Sequence, residues 1–428
     1  MKVHLRALGC RLNQSEIDSM ARQFASQGHH ITENAEDADL FVINTCAVTQ
    51  EATRSSRQLV YRLHRTNNTA EIAVTGCYAH IAPDEIREMN GVSSVIDNFD
   101  KASLVSIVSG EPIAAPELHD REPIQRQVLT GALGRTRAFI KVQDGCDRLC
   151  SFCVTRVARG KGRSRDLREI VAEVQEMSDL GYREAVLTGV HLGSYGHDLD
   201  QPDGLYWLVK ALLDDTDIAR IRVSSLEPWG IPENFFALWD DPRMGKHLHL
   251  PLQSGCDATL RRMIRRTSQR EFRSVVEQAR SHIPDLSITT DVIVGFPGET
   301  DAEFDISLRF IEEMQFAGMH IFRYSARPDT AAARLPNHVS EDIKKRRSDD
   351  LQAIHARDER RFVDQFVGSK RSVLWEAISG ATDAGYINNG YTDNFIRVRA
   401  VAPQVLTDQI TEARLVAWDQ VSGVMLTG

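Results

Sequence analysis

Three cysteines between positions 146 and 153 carry the clearest chemical signal in the chain. Cys146, Cys150 and Cys153 are separated by three and then two residues, in a sequence of 428 residues with only seven cysteines. Thiolates are soft ligands that bind iron–sulfur clusters, zinc or copper. A cubane cluster has four irons, so three thiolates with no fourth cysteine nearby would leave one iron open to another ligand. The spacing therefore favours a catalytic cluster over a structural one.

A zinc site is the competing interpretation of this loop. A distant histidine, for example His247 or His249, could complete a tetrahedron of ligands around Zn²⁺ with the three cysteines. Zinc loops more often use paired Cys-x2-Cys units. We therefore expect an iron–sulfur cluster, with zinc as the alternative.

Three further cysteines follow successive predicted strands near the N-terminus. The strands are Val3–Leu8, Leu40–Asn44 and Ile72–Thr75, and the cysteines that follow them are Cys10, Cys46 and Cys77. The alternation of strands and helices predicts a parallel sheet, in which the loops after the carboxyl ends of the strands gather along one edge. Any one of these residues could be a small buried thiol, as is common in protein cores. Their equivalent positions together predict a second three-thiolate cluster.

The pattern of strands and helices predicts an α/β protein with three domains. Residues 1–118 are expected to form a doubly wound parallel α/β domain, and residues 119–135 a linker. Six strand–helix units within residues 136–365 predict an open (β/α)6 barrel, whose ligands bind at the C-terminal face. Strands and turns alternate within residues 366–428, which predicts a small all-β domain.

Composition narrows the class of protein. Apolar residues make up 42% of the chain and charged residues 26%, as in ordinary globular proteins. The sequence contains no run of about 18 apolar residues, which a membrane-spanning helix would require. Its first residues do not resemble a secretory signal. An odd number of cysteines argues for reduced thiols or metal ligands and not for a disulfide framework. We therefore expect a cytoplasmic protein that does not associate with membranes.

Positive charge is concentrated in short runs although the net charge is −9. One run follows Cys153 and another spans residues 261–270, so both flank the proposed active site in the sequence. In the first run Arg159, Arg163 and Arg165 alternate with small or polar residues, which would place their side chains on one side of an extended segment. Both runs predict contact with an anionic substrate. A third run, Lys344 to Arg347, is better explained as a solvated helix face.

Motifs along the whole chain resemble those of one enzyme family. They comprise the three cysteine loops, Gly9–Glu16, Asn44–Thr49 and Gly76–Ala79, the loop of Cys146–Cys153, and the segments Leu187–Val190, Ser224–Pro228, Leu250–Gly255, Asp291–Thr300 and His320–Ser325. These motifs are similar to those of the radical S-adenosylmethionine methylthiotransferases. They look most like the branch that methylthiolates threonylcarbamoyladenosine in tRNA. The resemblance implies a methylthiotransferase N-terminal domain, a radical S-adenosylmethionine domain and a C-terminal TRAM domain.

The same resemblance implies the cofactors and their sites. Cys146, Cys150 and Cys153 would hold the 4Fe–4S cluster that cleaves S-adenosylmethionine. A second, auxiliary 4Fe–4S cluster, which carries the sulfur, would be held by Cys10, Cys46 and Cys77. Contacts to S-adenosylmethionine are expected from three residues at strand ends, Gly189, Ser225 and Glu227, since a glycine permits close approach and a carboxylate accepts hydrogen bonds.

The substrate and partners follow from the resemblance as well. The methylthio group would be attached to carbon 2 of the modified adenosine at position 37, next to the anticodon. A second S-adenosylmethionine would donate the methyl group. The anticodon loop is unstacked and so gives access to the base, and Arg159, Arg163 and Arg165 would hold tRNA phosphates. An electron donor such as flavodoxin or ferredoxin would supply electrons.

A few positions depart from the family pattern. Arg156 stands where a proline is usual, Cys256 stands where a serine is common, and Ile264 and Thr267 replace an asparagine and a tyrosine. We expect Cys256 to be an unligated thiol, because both cysteine triads are already complete.

Alternative functions remain open from the sequence. They include methylthiolation of isopentenyladenosine in tRNA or of a ribosomal protein aspartate, and another radical enzyme with an auxiliary cluster. A zinc-stabilised RNA-binding protein without catalysis is the alternative from a different class.

Overall fold

The computed structural model describes residues 1–110, 136–232 and 234–428, so the predicted linker at 119–135 lies outside the described residues. The chain forms two compact units. The first contains residues 1–110 together with Asp144–Asp147 and Cys153–Lys161, and the second contains residues 136–143, Arg148–Phe152 and Gly162–Gly428. Within these described ranges, no helix is both long enough and apolar enough to cross a membrane.

A five-stranded parallel sheet forms the centre of the first unit. Its strands are Lys2–Ala7 (β1), His30–Ile31 (β2), Leu40–Thr45 (β3), Glu71–Gly76 (β4) and Val92–Val95 (β5). The strand order is β2-β1-β3-β4-β5, and every pairing is parallel. The doubly wound α/β prediction is therefore confirmed. Strand β2 was not predicted, because two residues at a sheet edge carry no readable periodicity.

Helices cover both faces of this sheet. They are Arg11–Ser26 (α1), Gln50–Thr66 (α2), Cys77–Ile81 (α3), Pro83–Arg87 (α4), Leu104–Ser109 (α5) and Thr155–Arg159 (α6). All six residues of β3 are buried. Phe41 and Ile43 pack into the core on one face, whereas Leu40 and Val42 pack into the core on the other. A strand buried on both faces has apolar side chains in both directions, which explains its continuous apolar sequence.

Six parallel strands dominate the second unit. They are Arg137–Lys141 (β6), Glu184–Thr188 (β9), Arg220–Val223 (β10), His247–His249 (β11), Ser287–Val294 (β12) and Gly318–Arg323 (β13). Two short strands, Gln143–Asp144 (β7) and Arg163–Ser164 (β8), lie between β6 and β9 in the sequence and pair with each other. Two three-stranded parallel sheets, β10-β9-β6 and β11-β12-β13, are joined by isolated pairings of Ile221 with Met244 and of Ser225 with His249. The order agrees with the predicted open (β/α)6 barrel.

The helices of the second unit pack on the outside of these strands. They are Leu167–Asp179 (α7), Gly204–Asp215 (α8), Asp257–Arg262 (α9), Gln269–His282 (α10), Asp301–Met314 (α11) and Glu341–Asp364 (α12). Strand β12 shows how the two faces differ. Ile288 and Val292 are buried in the apolar core, whereas Thr289 and Asp291 on the opposite face are half-buried. Strand β12 therefore presents the polar side chains of Thr289 and Asp291 on the face opposite the apolar core.

The last part of the chain folds into a small all-β barrel, as predicted. Its strands are Lys370–Trp375 (β14), Gly380–Thr382 (β15), Gly385–Thr392 (β16), Arg397–Ala402 (β17), Ile410–Asp419 (β18) and Val424–Thr427 (β19). The strand order is β14-β18-β19-β17-β16-β15, and a further pairing of β14 with β16 closes the ring.

The turn between β16 and β17 covers the amino ends of the barrel strands. The ring of Phe395 stacks on His247, the first residue of β11, with centroids 4.5 Å apart. Arg371 of β14 bridges Asp285 and Asp393 at 2.6 and 2.9 Å. This end of the barrel is thus occupied by protein, and the carboxyl ends of the strands are left for ligands.

Candidate functional site

The first cysteine triad lies at the carboxyl edge of the N-terminal sheet. Cys10 precedes α1 as its N-cap residue, Cys46 directly follows β3, and Cys77 is the first residue of α3. Strand pairing places the residues before these three cysteines side by side, since Ala7 pairs with Asn44 and Thr45 pairs with Gly76. The parallel sheet therefore brings the three predicted ligands together.

Gly9 allows two of these loops to approach each other. Its φ of +88° is unfavourable for residues with a Cβ, and a Cβ at this position would lie 2.5 Å from Sγ of Cys46. Any side chain there would therefore collide with a cysteine of the triad. The glycine before Cys10 is explained by this close approach.

The environment of the thiols suits a bound metal. Burial raises the pKa of Cys46 to about 11. Packing also raises the pKa of Cys10, although this residue reaches the surface, and the charge of Arg159 acts in the opposite direction. Buried thiolates without a counter-charge are unfavourable, and a coordinated metal supplies that charge. Three converging soft ligands with no fourth cysteine fit a cluster with one open iron.

A buried network of polar and charged side chains adjoins the triad. The Asn13 amide oxygen lies 3.7 Å from Sγ of Cys10 and accepts a hydrogen bond from Nη2 of Arg159 at 2.6 Å. The carboxylate of Glu16 binds Nη1 of Arg159 at 2.9 Å and Nζ of Lys101 at 2.7 Å. Asn44 donates to Glu16 at 3.0 Å. The network explains the polar residues that accompany the cysteines in the first two motifs.

Arg159 remains charged within this network. Burial by itself would lower its pKa, but Glu16, the Cys77 thiol and Asp144 outweigh that effect and raise the pKa. Nη1 of Arg159 lies 3.0 Å from Asp144. Burial lowers the pKa of Lys101 in spite of Glu16. Of the two cations near the triad, Arg159 is therefore the one that holds its proton more strongly.

These contacts correct the expectation that Arg159 holds a tRNA phosphate. Only 3% of its surface is exposed, and it ends helix α6 and does not belong to an extended stripe. Arg165 is also engaged within the protein, because it pairs with Glu173 at 2.6 Å and donates to the Lys141 carbonyl. Arg163 is exposed. Of the three predicted tRNA contacts, Arg163 alone is retained below.

The second cysteine triad lies in a loop that is divided between the two units. In the first unit, the Cys146 amide donates to the Gly160 carbonyl at 3.0 Å. In the second unit, Ser151 donates from its backbone to Met263 at 3.0 Å and from its hydroxyl to Arg262 at 2.8 Å. Backbone contacts therefore fix the loop on both sides of Cys150.

The predicted cofactor contacts lie at the carboxyl ends of neighbouring barrel strands. Gly189 and Ser225 follow β9 and β10, and Gly189 packs closely against Gln143, whose Oε1 accepts hydrogen bonds from the two amides that follow the glycine. Glu227 forms an ion pair with the buried Arg265 at 2.6 Å. Arg265 also interacts with the Cys150 thiol. Arg265, a member of the basic run at residues 261–270, therefore connects Glu227 to the cysteine loop.

A row of side chains whose proximity was not predicted lies inside the barrel. Nε2 of His249 is 3.3 Å from Asp291, and His320 pairs in register with Asp291 on the adjacent strand. The ligand atoms of these three residues lie within 4.8 Å of one another. The Thr289 hydroxyl is 2.9 Å from Nδ1 of His249 and orients its ring. Such donors could bind a cation or hydrogen-bond a substrate. The sequence singled out His249 as a possible zinc ligand and placed Asp291 and His320 in family motifs, but it did not indicate that the three residues meet.

Trp229 provides an aromatic surface near the same strand ends. The Arg265 guanidinium lies over its ring at 4.4 Å, and the His191 ring is 6.2 Å away. Burial, together with the charges of Arg148 and Arg265, lowers the pKa of His191 to about 4. His191 is therefore neutral at physiological pH and can take part in stacking without adding charge.

Comparisons with known proteins cover both units of the chain. The family described as uncharacterized protein family UPF0004 matches residues 2–97, and the radical SAM superfamily matches residues 140–311. A protein of Bacillus subtilis (strain 168) is 33% identical over 96% of this chain and 93% of its own length. A protein of Thermotoga maritima is 35% identical over 94% and 92%. Both are named threonylcarbamoyladenosine tRNA methylthiotransferase MtaB.

Solved structures support the fold. The radical S-adenosylmethionine methyltransferase TsrM from Kitasatospora setae aligns with a TM-score of 0.57 and 14% identity, over 78% of this chain and 75% of that chain. The cobalamin-dependent radical enzyme OxsB aligns with a TM-score of 0.51 and 10% identity, over 85% of this chain and 56% of that chain. At these identities the likeness concerns the architecture alone.

We expect Glu227→Gln to lower the free energy of unfolding of the second unit by about 3–5 kcal/mol, because it leaves the buried Arg265 charge without its partner. All five tryptophans lie in the second unit, so urea unfolding followed by tryptophan fluorescence measures the effect. Glu313→Gln is the matched control: it removes the exposed partner of Arg273 and should cost less than about 1 kcal/mol. Equal effects of the two substitutions would contradict this account of Arg265.

Proposed function

Because the chain belongs to the radical S-adenosylmethionine methylthiotransferase family, in the branch of the threonylcarbamoyladenosine tRNA methylthiotransferases, we propose that it attaches a methylthio group to carbon 2 of threonylcarbamoyladenosine in tRNA. Full-length identity of 33–35% to relatives of that name supports the membership. The observation that carries the proposal is the convergence of Cys10, Cys46 and Cys77, since a radical enzyme that only cleaves its cofactor needs no second triad.

The radical S-adenosylmethionine domain uses a 4Fe–4S cluster and S-adenosylmethionine, which supply the radical chemistry when bound. We propose Cys146, Cys150 and Cys153 as the ligands of that cluster. Gly189 and Ser225 would approach S-adenosylmethionine closely at the strand ends. Glu227 would accept hydrogen bonds from it, and the ion pair with Arg265 fixes this carboxylate in place.

We propose that Cys10, Cys46 and Cys77 hold an auxiliary 4Fe–4S cluster that carries the sulfur. Support comes from the close approach of these residues and from their soft donor set. Cys256 would remain unligated: it is buried at the start of α9, and both triads are complete without it.

The proposed substrate is the adenosine at position 37 of tRNA, because an unstacked anticodon loop gives access to a base. The C-terminal all-β domain, at residues 366–428, would act as a TRAM domain and contact the RNA backbone. We propose that residues 1–118 form the methylthiotransferase N-terminal domain and that residues 136–365 form the radical S-adenosylmethionine domain. A flavodoxin or ferredoxin would supply electrons, and a tRNA substrate together with reduced thiols favours the cytoplasm.

Analysis of tRNA nucleosides tests the function directly. Cells that lack this gene should contain threonylcarbamoyladenosine without its methylthio group, and the wild-type chain should restore it. Methylthiolated isopentenyladenosine should be unchanged, which serves as the internal control. Loss of the isopentenyladenosine product, or of a methylthio group on a ribosomal protein aspartate, would replace the proposal with one of these alternatives. No change in any product, in a chain that binds zinc, would favour a non-catalytic RNA-binding protein.

Gly9→Ala is expected to reduce the iron content of anaerobically reconstituted protein from about eight to about four per chain, since one 4Fe–4S cluster would be lost. The added Cβ would occupy the space of the Cys46 side chain. The matched control is Gly28→Ala, where φ is +78° but no atom lies within 4 Å of the added Cβ. Iron determination on both variants makes the comparison. Full iron content in Gly9→Ala would mean that the second cluster does not depend on the close approach of Gly9 to Cys46.

Arg163→Gln should weaken tRNA binding at low salt, because one phosphate contact is lost. The plot of log affinity against log salt concentration, which has a negative slope, should become less steep by about one unit. Binding is measured by titration at several salt concentrations, with iron content checked in parallel. Arg309→Gln, which changes an exposed arginine of α11 outside the basic run, is the control. An unchanged slope in Arg163→Gln would remove this residue from the tRNA surface.

A further inference from the structure

The network beside the first cysteine triad places a permanent positive charge next to a proposed cluster. A single amide oxygen, Oδ1 of Asn13, contacts both the Cys10 thiol at 3.7 Å and the Arg159 guanidinium at 2.6 Å. The charge of Arg159 also acts on the Cys46 thiol, and the Cys77 thiol acts on Arg159. All three proposed ligands therefore lie within the electrostatic range of one arginine.

Two carboxylates oppose that charge. Glu16 binds both cations of the network, Arg159 at 2.9 Å and Lys101 at 2.7 Å, and it is itself buried. Asp144 contacts the same nitrogen of Arg159, Nη1, at 3.0 Å. Charges shielded from water act over longer distances than surface charges, because the local dielectric constant is low. The balance among these groups therefore determines the electrostatic potential at the triad.

Buried charges of this kind are costly. An apolar replacement of a buried ion pair is often as stable or more stable, so stability alone does not account for the network. A cluster gains one negative charge when it is reduced, and its potential depends on net charge, hydrogen bonds and burial. A nearby cation favours the reduced state, and a nearby anion favours the oxidised state.

We propose that Arg159 and Glu16 are positioning residues that set the reduction potential of the auxiliary cluster, with opposite signs. The inference rests on the proposed function, because it requires a cluster at Cys10, Cys46 and Cys77. Arg159 stands six residues after Cys153, at the end of the helix that follows the second triad. The chain thus uses the segment directly after one cysteine loop to adjust the electrostatics of the other.

The test isolates the auxiliary cluster in the full-length chain. Changing Cys146, Cys150 and Cys153 to alanine should leave about four irons per chain. The midpoint potential of this background is then measured by a redox titration followed by electron paramagnetic resonance. Absence of iron in the background would refute the second cluster, and with it the proposed division between the two triads, before any question about Arg159 arises.

In that background, Arg159→Gln should lower the midpoint potential and Glu16→Gln should raise it. At a fixed potential each change should alter the ratio of reduced to oxidised cluster at least about tenfold, which is about 59 mV for a one-electron couple. Arg159→Lys keeps the charge and should restore most of the wild-type potential. Arg156→Gln is the matched control, since Arg156 lies on the same short helix and donates to the Asp147 carbonyl at 3.4 Å.

A purely structural role predicts a different pattern. Loss of packing would shift Arg159→Gln and Glu16→Gln in the same direction, or would lower iron content without moving the potential of the remaining cluster. Either result would overturn the proposal, as would unchanged potentials. If Arg159→Gln does not retain iron, the other two variants provide the test. A raised potential in Glu16→Gln together with a near wild-type potential in Arg159→Lys supports the proposal. Any other combination of potentials in these two variants refutes it.

Discussion

The parallel direction of β1, β3 and β4 is the constraint on which the first site depends. Each strand pairs with its neighbour residue by residue, so their carboxyl ends are held at one edge. Backbone hydrogen bonds thereby determine where the following loops begin, and cysteines that are far apart in the sequence come together. The contact still requires a residue without a Cβ, because Gly9 and Cys46 would otherwise compete for the same space.

The same edge carries an unusual amount of buried charge. Arg159, Lys101 and Glu16 are each less than a tenth exposed, and their mutual ion pairs have to offset the loss of hydration. Asn13 and Asn44 form further hydrogen bonds with Glu16, with Arg159 and with each other, and these bonds link the charged groups into one network. Networks of this kind are sensitive to the loss of any member, because the partner left behind is buried and unpaired. The polar residues of the cysteine motifs therefore support one another within this network.

Much of this arrangement could be read from the sequence, because it depends on local patterns. Strands β3 and β12 have apolar patterns that identify them, and the cysteines mark the strand ends. The position of Arg159 could not be read in this way, since its partner Glu16 is 143 residues away. A run of arginines, glycines and serines looks like a basic surface, and only the tertiary contacts distinguish the buried member from the exposed ones. The proximity of His249, Asp291 and His320 was not predicted for the same reason, because each residue comes from a different strand.

The barrel shows why ligand chemistry is confined to the carboxyl ends of its strands. At the amino ends, Phe395 covers His247, and Arg222 lies over the Phe395 ring at 4.6 Å. Burial alone would raise the pKa of Glu184, but Arg222 and Arg220 hold it at about 2, so the carboxylate stays ionised and paired. Glu184, Arg222 and His247 are buried at this end, so they are not accessible to a ligand. At the carboxyl ends, by contrast, Asp291 and His249 remain half-buried and Glu227 is oriented by Arg265. Access and available hydrogen-bonding groups therefore coincide at the end where the cysteine loop begins.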